Sequence, residues 1–354
     1  MTKKLFPVLI LLGGFLSPLQ AQDDSGDAGQ AGEFLRRGIG ARAVGLGRAF
    51  TAIANDASAM HWNPAGMSYL SQNGVAVMAM RTPLREGASF NYVGGAIPFR
   101  LFFVGKAETS PLERILEDIN VGLAASWIDY GSIELYNSDA RRLGDQSDNS
   151  SGQRAIYASF SWPLNGLFSR VSTERGVFSW AKPIRGDLNF GFTAKFIGQD
   201  LFGADGSATS WDLGFIYTHH SGLLNLGFTY RDFNSPHISF GKNVLEDEIP
   251  ATGVLGVAFR PPWLTGLMVT FDYGIIKVRE RDVSFGLEYD LAALDANIPI
   301  KLRLGANSHY ENFTFGINFS PEILVGQDLI PYVDWTYANE KGKFDAVGAR
   351  YSLS

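Results

Sequence analysis

The sequence contains no cysteine among its 354 residues. The chain therefore forms no disulfide bonds, even if it is exported to an oxidising compartment. It also lacks the cysteine at the cleavage site to which bacterial lipoproteins attach their lipid anchor. An exported form is thus neither a disulfide scaffold nor a lipoprotein.

The sequence has no apolar run of the roughly 20 residues that a transmembrane helix needs. Its clearest apolar run, residues 5–16, follows Lys3 and Lys4 and ends shortly before Ala21. This arrangement is typical of a secretory signal, and we predict a signal peptide over residues 1–21. The acidic, small and polar residues 22–32 then predict a disordered mature N-terminus. The mature chain should contain no transmembrane helix.

The usual signals of catalysis and of metal or nucleotide binding are missing. The five histidines are scattered, and His219 and His220 would point to opposite faces of a strand, which does not favour a metal site. Neither a Gly-x-Ser-x-Gly nor a His-Glu-x-x-His motif is present. Residues 38–43 match the dinucleotide pattern, but no βαβ unit surrounds them. We therefore predict no enzyme, no catalytic residues, no metal and no cofactor.

The charge and hydropathy of the chain narrow its class. The formal net charge is −6 and becomes more negative without the signal lysines, which argues against a nucleic-acid partner. The mean hydropathy is close to zero, with 40 glycines and 13% aromatic residues. This value is high for a soluble chain of such composition. It is ordinary for a transmembrane barrel, in which only alternate residues face lipid.

From residue 74 onward, apolar and polar residues alternate with a period of two. One stretch has Phe313, Phe315, Ile317 and Phe319 on one face, with Thr, Gly, Asn and Ser between them. Aromatic residues concentrate near the strand ends, as an interfacial girdle requires, and the polar faces carry charges of both signs. A soluble sandwich would show a mixed aliphatic core instead. The charges on the polar faces are Lys195, Asp212, Arg231, Asp272, Glu288, Arg303, Asp334 and Arg350.

This alternation predicts an all-β protein, a 14-stranded antiparallel transmembrane β-barrel over residues 73–354. Because the strand number is even, both termini should lie in the periplasm of a bacterium, with outer-membrane lipid around the barrel. With the first strand rising outward, residues 137–152 and 234–250 form external loops. The predicted strands are 74–82, 87–99, 120–136, 153–163, 187–200, 208–218, 223–233, 251–261, 266–276, 281–290, 298–310, 312–320, 329–338 and 343–353.

Residues 55–70 have a different composition from either neighbour and predict a compact segment that is not a strand. Asp56 can accept backbone N–H groups at the start of a helical turn. Asn63, Pro64, Ala65 and Gly66 then break that turn. If the following sheet closes into a barrel, residues 33–72 form an N-terminal hatch, or plug, in its lumen. The predicted hatch and gating residues are Asp56, Asn63, Pro64, Ala65 and Gly66.

The same region resembles a known family. Residues 40–50, 55–58 and 62–67, which read GARAVGLGRAF, NDAS and WNPAGM, are similar to the N-terminal segment of the long-chain fatty acid transporter (FadL-like) superfamily. Within it, they most resemble the PorV/PorQ-type proteins. The resemblance implies a 14-stranded outer-membrane barrel whose N-terminal segment is a hatch with an Asn-Pro-Ala turn, here Asn63-Pro64-Ala65.

The resemblance leaves two functions open. In the transporter branch, small hydrophobic compounds enter the lumen and leave sideways through the wall. Phe50, Met60, Trp62 and Met67 could then line the route, with a small hydrophobic ligand, lipid or detergent as partner. In the PorV branch, the barrel binds a translocon or cargo proteins of the type IX secretion system. For the transporter function, a break in the wall is predicted at Gly94, Gly95 and Pro98 of the second strand.

Overall fold

The computed structural model gives an all-β protein built on one large antiparallel sheet. The structure describes residues 32–72, 75–84, 87–103, 118–130, 133–136, 142–146, 151–164, 186–201, 204–240, 247–276, 281–309, 311–319, 333–340 and 349–353. The predicted signal peptide and almost all of the predicted mature N-terminus lie outside the described residues.

Fourteen long antiparallel strands follow one another in the sheet, and the pairing also joins the first of them, β1, to the last, β18. A strand is present at each of the fourteen predicted positions, and most ends shift by four residues or fewer; the third strand ends earlier, and residues 343–348 of the last predicted strand lie outside the described residues. The strands are β1 (Ala76–Pro83), β2 (Ser89–Pro98), β3 (Asn120–Asp129), β6 (Ser151–Pro163), β7 (Gly186–Leu201), β8 (Ala204–His219), β9 (Leu224–Arg231), β12 (Thr252–Phe259), β13 (Leu267–Ile276), β14 (Asp282–Asp290), β15 (Ile300–Asn307), β16 (Glu311–Phe319), β17 (Val333–Glu340) and β18 (Ala349–Leu353).

Four short strands were not predicted as separate elements. β4 (Ile133–Tyr136) and β5 (Arg142–Gln146) pair only with each other, so the third predicted strand ends at Asp129 and not at residue 136. β10 (His237–Phe240) and β11 (Asp247–Glu248) form a second hairpin, and β10 also pairs with β8. The segments predicted as external loops, 137–152 and 234–250, therefore contain the paired strands β5, β10 and β11. They were missed because strands of two to five residues are too short for their alternation to be distinguished from chance.

The two faces of the sheet differ as the alternation predicts. The outward face exposes large apolar side chains, such as Leu123, Ile156 and Leu255, whose exposed fractions are 68%, 51% and 58%. The inward face carries small, polar and charged residues that are nearly all buried. Buried polar groups need partners. Many on this face find them in one another and in the N-terminal segment, residues 32–72.

The N-terminal segment packs against the inward face. It consists of a 3-10 helix (Glu33–Arg36), α1 (Ala41–Gly45), α2 (Ala59–Trp62) and a second 3-10 helix (Pro64–Gln72). Further 3-10 turns span Phe99–Phe103 and Leu291–Ala293. Among the described residues, no helix is both long and apolar enough to cross a membrane. We call the end of the sheet where β1 begins the proximal end, and the opposite end the distal end.

Candidate functional site

The first half of the N-terminal segment is bound to the sheet through its backbone. The Asp272 carboxylate on β13 accepts the N–H groups of Phe50 and Thr51, at 3.0 and 2.9 Å. Thr336 on β17 donates its hydroxyl to the Ala41 carbonyl at 2.5 Å, at the start of α1. Such bonds join backbone groups of the segment directly to side chains of the strands. Two further bonds of this kind run from Thr314 to the Gly45 carbonyl and from Asn225 to the Ala52 carbonyl.

A row of alternating charges adds an ionic attachment. Arg42 of α1 forms a two-pronged contact with Glu288 on β14, with N–O distances of 3.0 and 3.1 Å. Glu288 also accepts from Arg303 on β15 at 2.7 Å, and Arg303 in turn contacts Asp334 on β17. The Arg42 guanidinium also lies 5.4 Å from the Phe50 ring centre. Each buried charge therefore has an opposite charge beside it, which offsets the cost of burial.

Asn63 connects both halves of the segment to the sheet. Its side-chain N–H₂ group donates to the Thr51 carbonyl at 2.9 Å and to the strand carbonyls of Phe215 and Phe228 at 3.1 and 3.3 Å. Its side-chain oxygen accepts the N–H of Ala65 at 3.2 Å. Asn63 has an extended backbone, so α2 ends at Trp62 as predicted. The chain then continues as a 3-10 helix from Pro64, which was not predicted.

Asp56 lies ahead of α2, at the position predicted for it. Its carboxylate accepts the Ser58 N–H at 2.8 Å and the Ser58 hydroxyl at 2.5 Å. Burial raises the pKa of Asp56, and the bonds from Ser58 oppose that shift. The neighbouring Ala57 carbonyl accepts from Tyr92 of β2 at 2.7 Å. Gating by Asp56 or by the residues at 63–66 stays a prediction.

Glycines on the inward face let the backbone of the segment approach the sheet. A Cβ at Gly191 on β7 would collide with Pro64 and Ala65, and one at Gly214 on β8 with Asn63. The same holds for Gly305 on β15 against Gly47. This role was not predicted, because a glycine at a polar-face position carries no sign of what covers it. The backbone of the segment also approaches three further glycines closely, namely Gly227, Gly256 and Gly286.

Of the four predicted lining residues, Trp62 belongs to the wall of the distal cavity described below, and Phe50, Met60 and Met67 do not. Its indole N–H donates to the Ile39 carbonyl at 2.7 Å, and its ring meets that of Phe50 edge-on at 6.3 Å. Met60 and Met67 are fully buried against Gly122 on β3, where an added Cβ would lie 2.7 and 2.9 Å from their sulfur atoms. Phe50, Met60 and Met67 thus pack the segment in this conformation.

The predicted wall break lies in continuous pairing. Gly94 and Gly95 of β2 pair with Met78 and Val77 on β1, and Pro98 is the last residue of the strand. The pairing of β2 with β3 runs through the same three positions without a register shift. A lateral opening there stays a prediction, and it requires strand pairing to change.

A cavity of about 50 Å³ lies at the distal end between the segment and the sheet. A cavity of this volume can hold a few water molecules, because each needs roughly 10–15 Å³. Its wall combines apolar groups with charges of both signs, and the guanidinium of Arg231 lies 5.8 Å from the Trp62 ring centre. The charged and aromatic residues of the wall are Arg36, Arg48, His61, Trp62, Lys195, Arg231, Asp232, Asp272 and Asp282.

Two buried ionisable side chains in the cavity wall, Lys195 and His61, lie near other charged groups. Lys195 on β7 contacts Asp212 on β8 at 2.9 Å and also contacts Asp232, which follows β9. His61 is buried beside Trp62 and Tyr157. Burial lowers the pKa of His61 well below its ordinary value, and the nearby cations add to that shift. His61 is therefore neutral at physiological pH.

The prediction for His219 and His220 was wrong in its geometry. Their rings lie 4.1 Å apart, because His219 ends β8 and His220 already belongs to the turn that follows. Within the described ranges, no group of three or more histidine, aspartate or glutamate residues is arranged to hold a metal ion.

Comparisons with known proteins give matches among solved structures only. No family model and no curated protein matches the sequence. The toluene transporter TodX of Pseudomonas putida is 12% identical with a TM-score of 0.46, covering 89% of this chain and 96% of that chain. A Pseudomonas aeruginosa FadL homologue is 10% identical with a TM-score of 0.46, covering 87% and 96%. Identities this low and TM-scores below 0.5 identify neither a family nor a substrate.

Proposed function

We propose that the sheet closes into a transmembrane barrel in a bacterial outer membrane, with the N-terminal segment as its hatch. The pairing of β1 with β18 and of β8 with β9 supports closure. The exposed apolar face suits lipid, and exposed tryptophans lie near strand ends, Trp127 on β3 and Trp263 in the connection after β12. In this arrangement the distal end faces the outside and the proximal end the periplasm.

The function that this geometry supports best is the hatch-gated passage of small hydrophobic compounds. The single observation that carries it is that the inward face is filled by one continuous segment, attached by noncovalent bonds, below a distal cavity. Such a segment can leave its seat without breaking the sheet. Leu35, Ile249 and Val254 add apolar groups to a wall that also carries charges, and at about 50 Å³ the cavity must widen, as the segment moves, before such a compound can enter.

A reversible lock tests this function. The chain has no cysteine, so a cysteine pair at Gly45 and Gly316 would be unique. A Cβ added at either position lies 3.4 Å from the Cα of the other, close enough for a disulfide. We expect the cross-linked protein to lose uptake of apolar solutes by proteoliposomes and to regain it on reduction. Equal uptake in both states would reject hatch gating.

A second function, binding of secretion-system proteins without solute transport, is favoured by one observation. The pairing around β2 and β3 is unbroken at the predicted exit, and a sealed wall suits a docking role. This alternative predicts co-purification with a much larger barrel or with cargo signal domains from native membranes. Recovery of neither, together with reversible uptake in the lock experiment, would leave transport as the function.

A further inference from the structure

Two described parts of the connection between β9 and β12 lie beside the distal cavity. These two arms are residues 232–240 and 247–250, and the Ile249 N–H joins them by donating to the Pro236 carbonyl at 2.8 Å. Ile238 and Ile249 are buried, with exposed fractions of 0% and 3%. Asp232, Ile249 and Pro250 form part of the cavity wall. The arms therefore shield apolar side chains and the cavity from solvent at the same time.

A small polar cluster fixes the base of the first arm. The Asp232 carboxylate contacts the Lys195 ammonium and accepts the Ser210 hydroxyl at 2.6 Å. The Asp232 N–H donates to Asp212 at 2.8 Å. Asn234 adds two bonds to β8, from its amide to the Thr209 carbonyl at 2.9 Å and from the Trp211 N–H to its oxygen at 3.1 Å.

The backbone at this base is strained. Asp232 and Ser235 have φ angles of 53° and 40°, in the left-handed region that residues other than glycine seldom adopt. Strain of this kind persists only where surrounding contacts enforce it, and it is typical of clamps and switch regions. Releasing the Asp232 contacts would therefore also release the backbone.

The charge arrangement makes such release possible. Lys195 faces two carboxylates, but only Asp212 belongs to a strand, whereas Asp232 belongs to the connection. If Asp232 leaves, Lys195 keeps Asp212 at 2.9 Å and is not left as an uncompensated buried charge. The closed state also holds two like charges near one cation, which opposes closure. The pair thus has the features of a releasable contact.

We propose that the arms 232–240 and 247–250 are a lid over the distal cavity, latched by Asp232 on Lys195 and hinged at Asp232 and Ser235. A Cβ added at Gly32 would lie 3.2 Å from the Ile249 side chain and 3.3 Å from that of Leu35, and both side chains belong to one buried cluster, so Ile249 lies beside the start of the N-terminal segment. Opening the lid therefore exposes the cavity and removes a contact of the segment. The lid requires no particular transported compound and goes beyond the proposed function.

Thiol accessibility in detergent-solubilised protein tests the lid without any transport assay. Ile238→Cys places a thiol under the closed lid, and labelling by a bulky, charged maleimide reports opening. In the Ile238→Cys background, Asp232→Asn should raise the labelling rate about tenfold or more, because it removes the charged partner of Lys195. Asp212→Asn should not raise it, since Lys195 then pairs with Asp232 alone and an asparagine oxygen can still accept the Asp232 N–H.

Controls separate lid opening from misfolding. His237→Cys, exposed on the same arm, should react at the same fast rate with and without Asp232→Asn. Heat-modifiable electrophoretic migration reports whether the sheet is folded. If Asp232→Asn fails to fold, the exposed Asn234→Ala change, which removes the bonds to Thr209 and Trp211, should also raise the Ile238→Cys rate. Unchanged labelling in the folded latch variants, or equal opening by Asp212→Asn, would overturn the proposal.

Discussion

Replacing Asp272 by alanine should free the turn at residues 50–51 from the sheet while the strands stay paired. The Asp272 carboxylate accepts both N–H groups of this turn and is 4% exposed. A hydrogen bond to a charged group contributes about 1.5–3 kcal/mol, so two contribute about 3–6 kcal/mol. Burying the carboxylate itself opposes docking, and we therefore expect about 3 kcal/mol for the substitution.

This loss has a measurable consequence. Because every 1.4 kcal/mol corresponds to a factor of ten, the undocked population should rise by roughly two orders of magnitude. Hydrogen exchange followed by mass spectrometry reports such local opening. Peptides covering residues 49–54 should exchange about a hundredfold faster in Asp272→Ala. The exchange of peptides from the strands of the sheet should not change.

Two matched variants sharpen the measurement. Asp272→Asn keeps one acceptor oxygen and should give an intermediate exchange rate. Asp290→Ala removes a half-exposed carboxylate, whose pair with Lys301 is long at 3.5 Å, and should leave exchange at residues 49–54 unchanged. If Asp272→Ala protected these peptides as well as the parent does, the turn would be held by packing and not by the carboxylate.

Three further changes probe the same segment. Asn63→Asp replaces a donor to three carbonyls with an acceptor, and should make residues 55–72 sensitive to protease in a folded sheet; resistance equal to the parent would contradict this. Gly191→Ala should lower segment stability by about 1–3 kcal/mol through overpacking, whereas Gly253→Ala, with its nearest atom at 3.8 Å, should be neutral in thermal unfolding. The depressed pKa of buried His61 means that the undocked state binds the proton more readily, so docking should weaken by about 1.4 kcal/mol per pH unit below about pH 6.5. His61→Gln should remove this contribution, so the pH dependence of protease sensitivity should differ between parent and variant by about that slope; equal pH dependence in both would assign it to another group.

The strands were predictable because their signal is local. A period of two over about ten residues appears in the sequence itself, as at Phe313 to Phe319, and the structure confirms which face is exposed. The short strands β4, β5, β10 and β11 have only two to five residues each, too few for such a period to stand out. The Asn63-Pro64 pair likewise marked the end of α2 from local chemistry alone.

The attachments of the segment were not predictable, because they join residues far apart in sequence. Lys195 and Arg303 were recognised as polar-face charges, but their partners depend on the register between strands. For the same reason, the sequence does not predict the pair of Arg42 with Glu288 or the glycines that the segment approaches closely. A glycine that touches the segment and one that does not look alike in the sequence.

The bonds from Thr336 to Ala41 and from Thr314 to Gly45 span 295 and 269 residues. Because their strand partners lie near the C-terminus, the first half of the segment cannot reach its seat until the last strands are in place. Contacts of such long sequence separation form slowly and late in folding. Residues 41–54 can therefore dock only after the sheet is complete. In a chain that is truncated or mispaired at its C-terminal end, the N-terminal segment stays undocked and accessible to proteases.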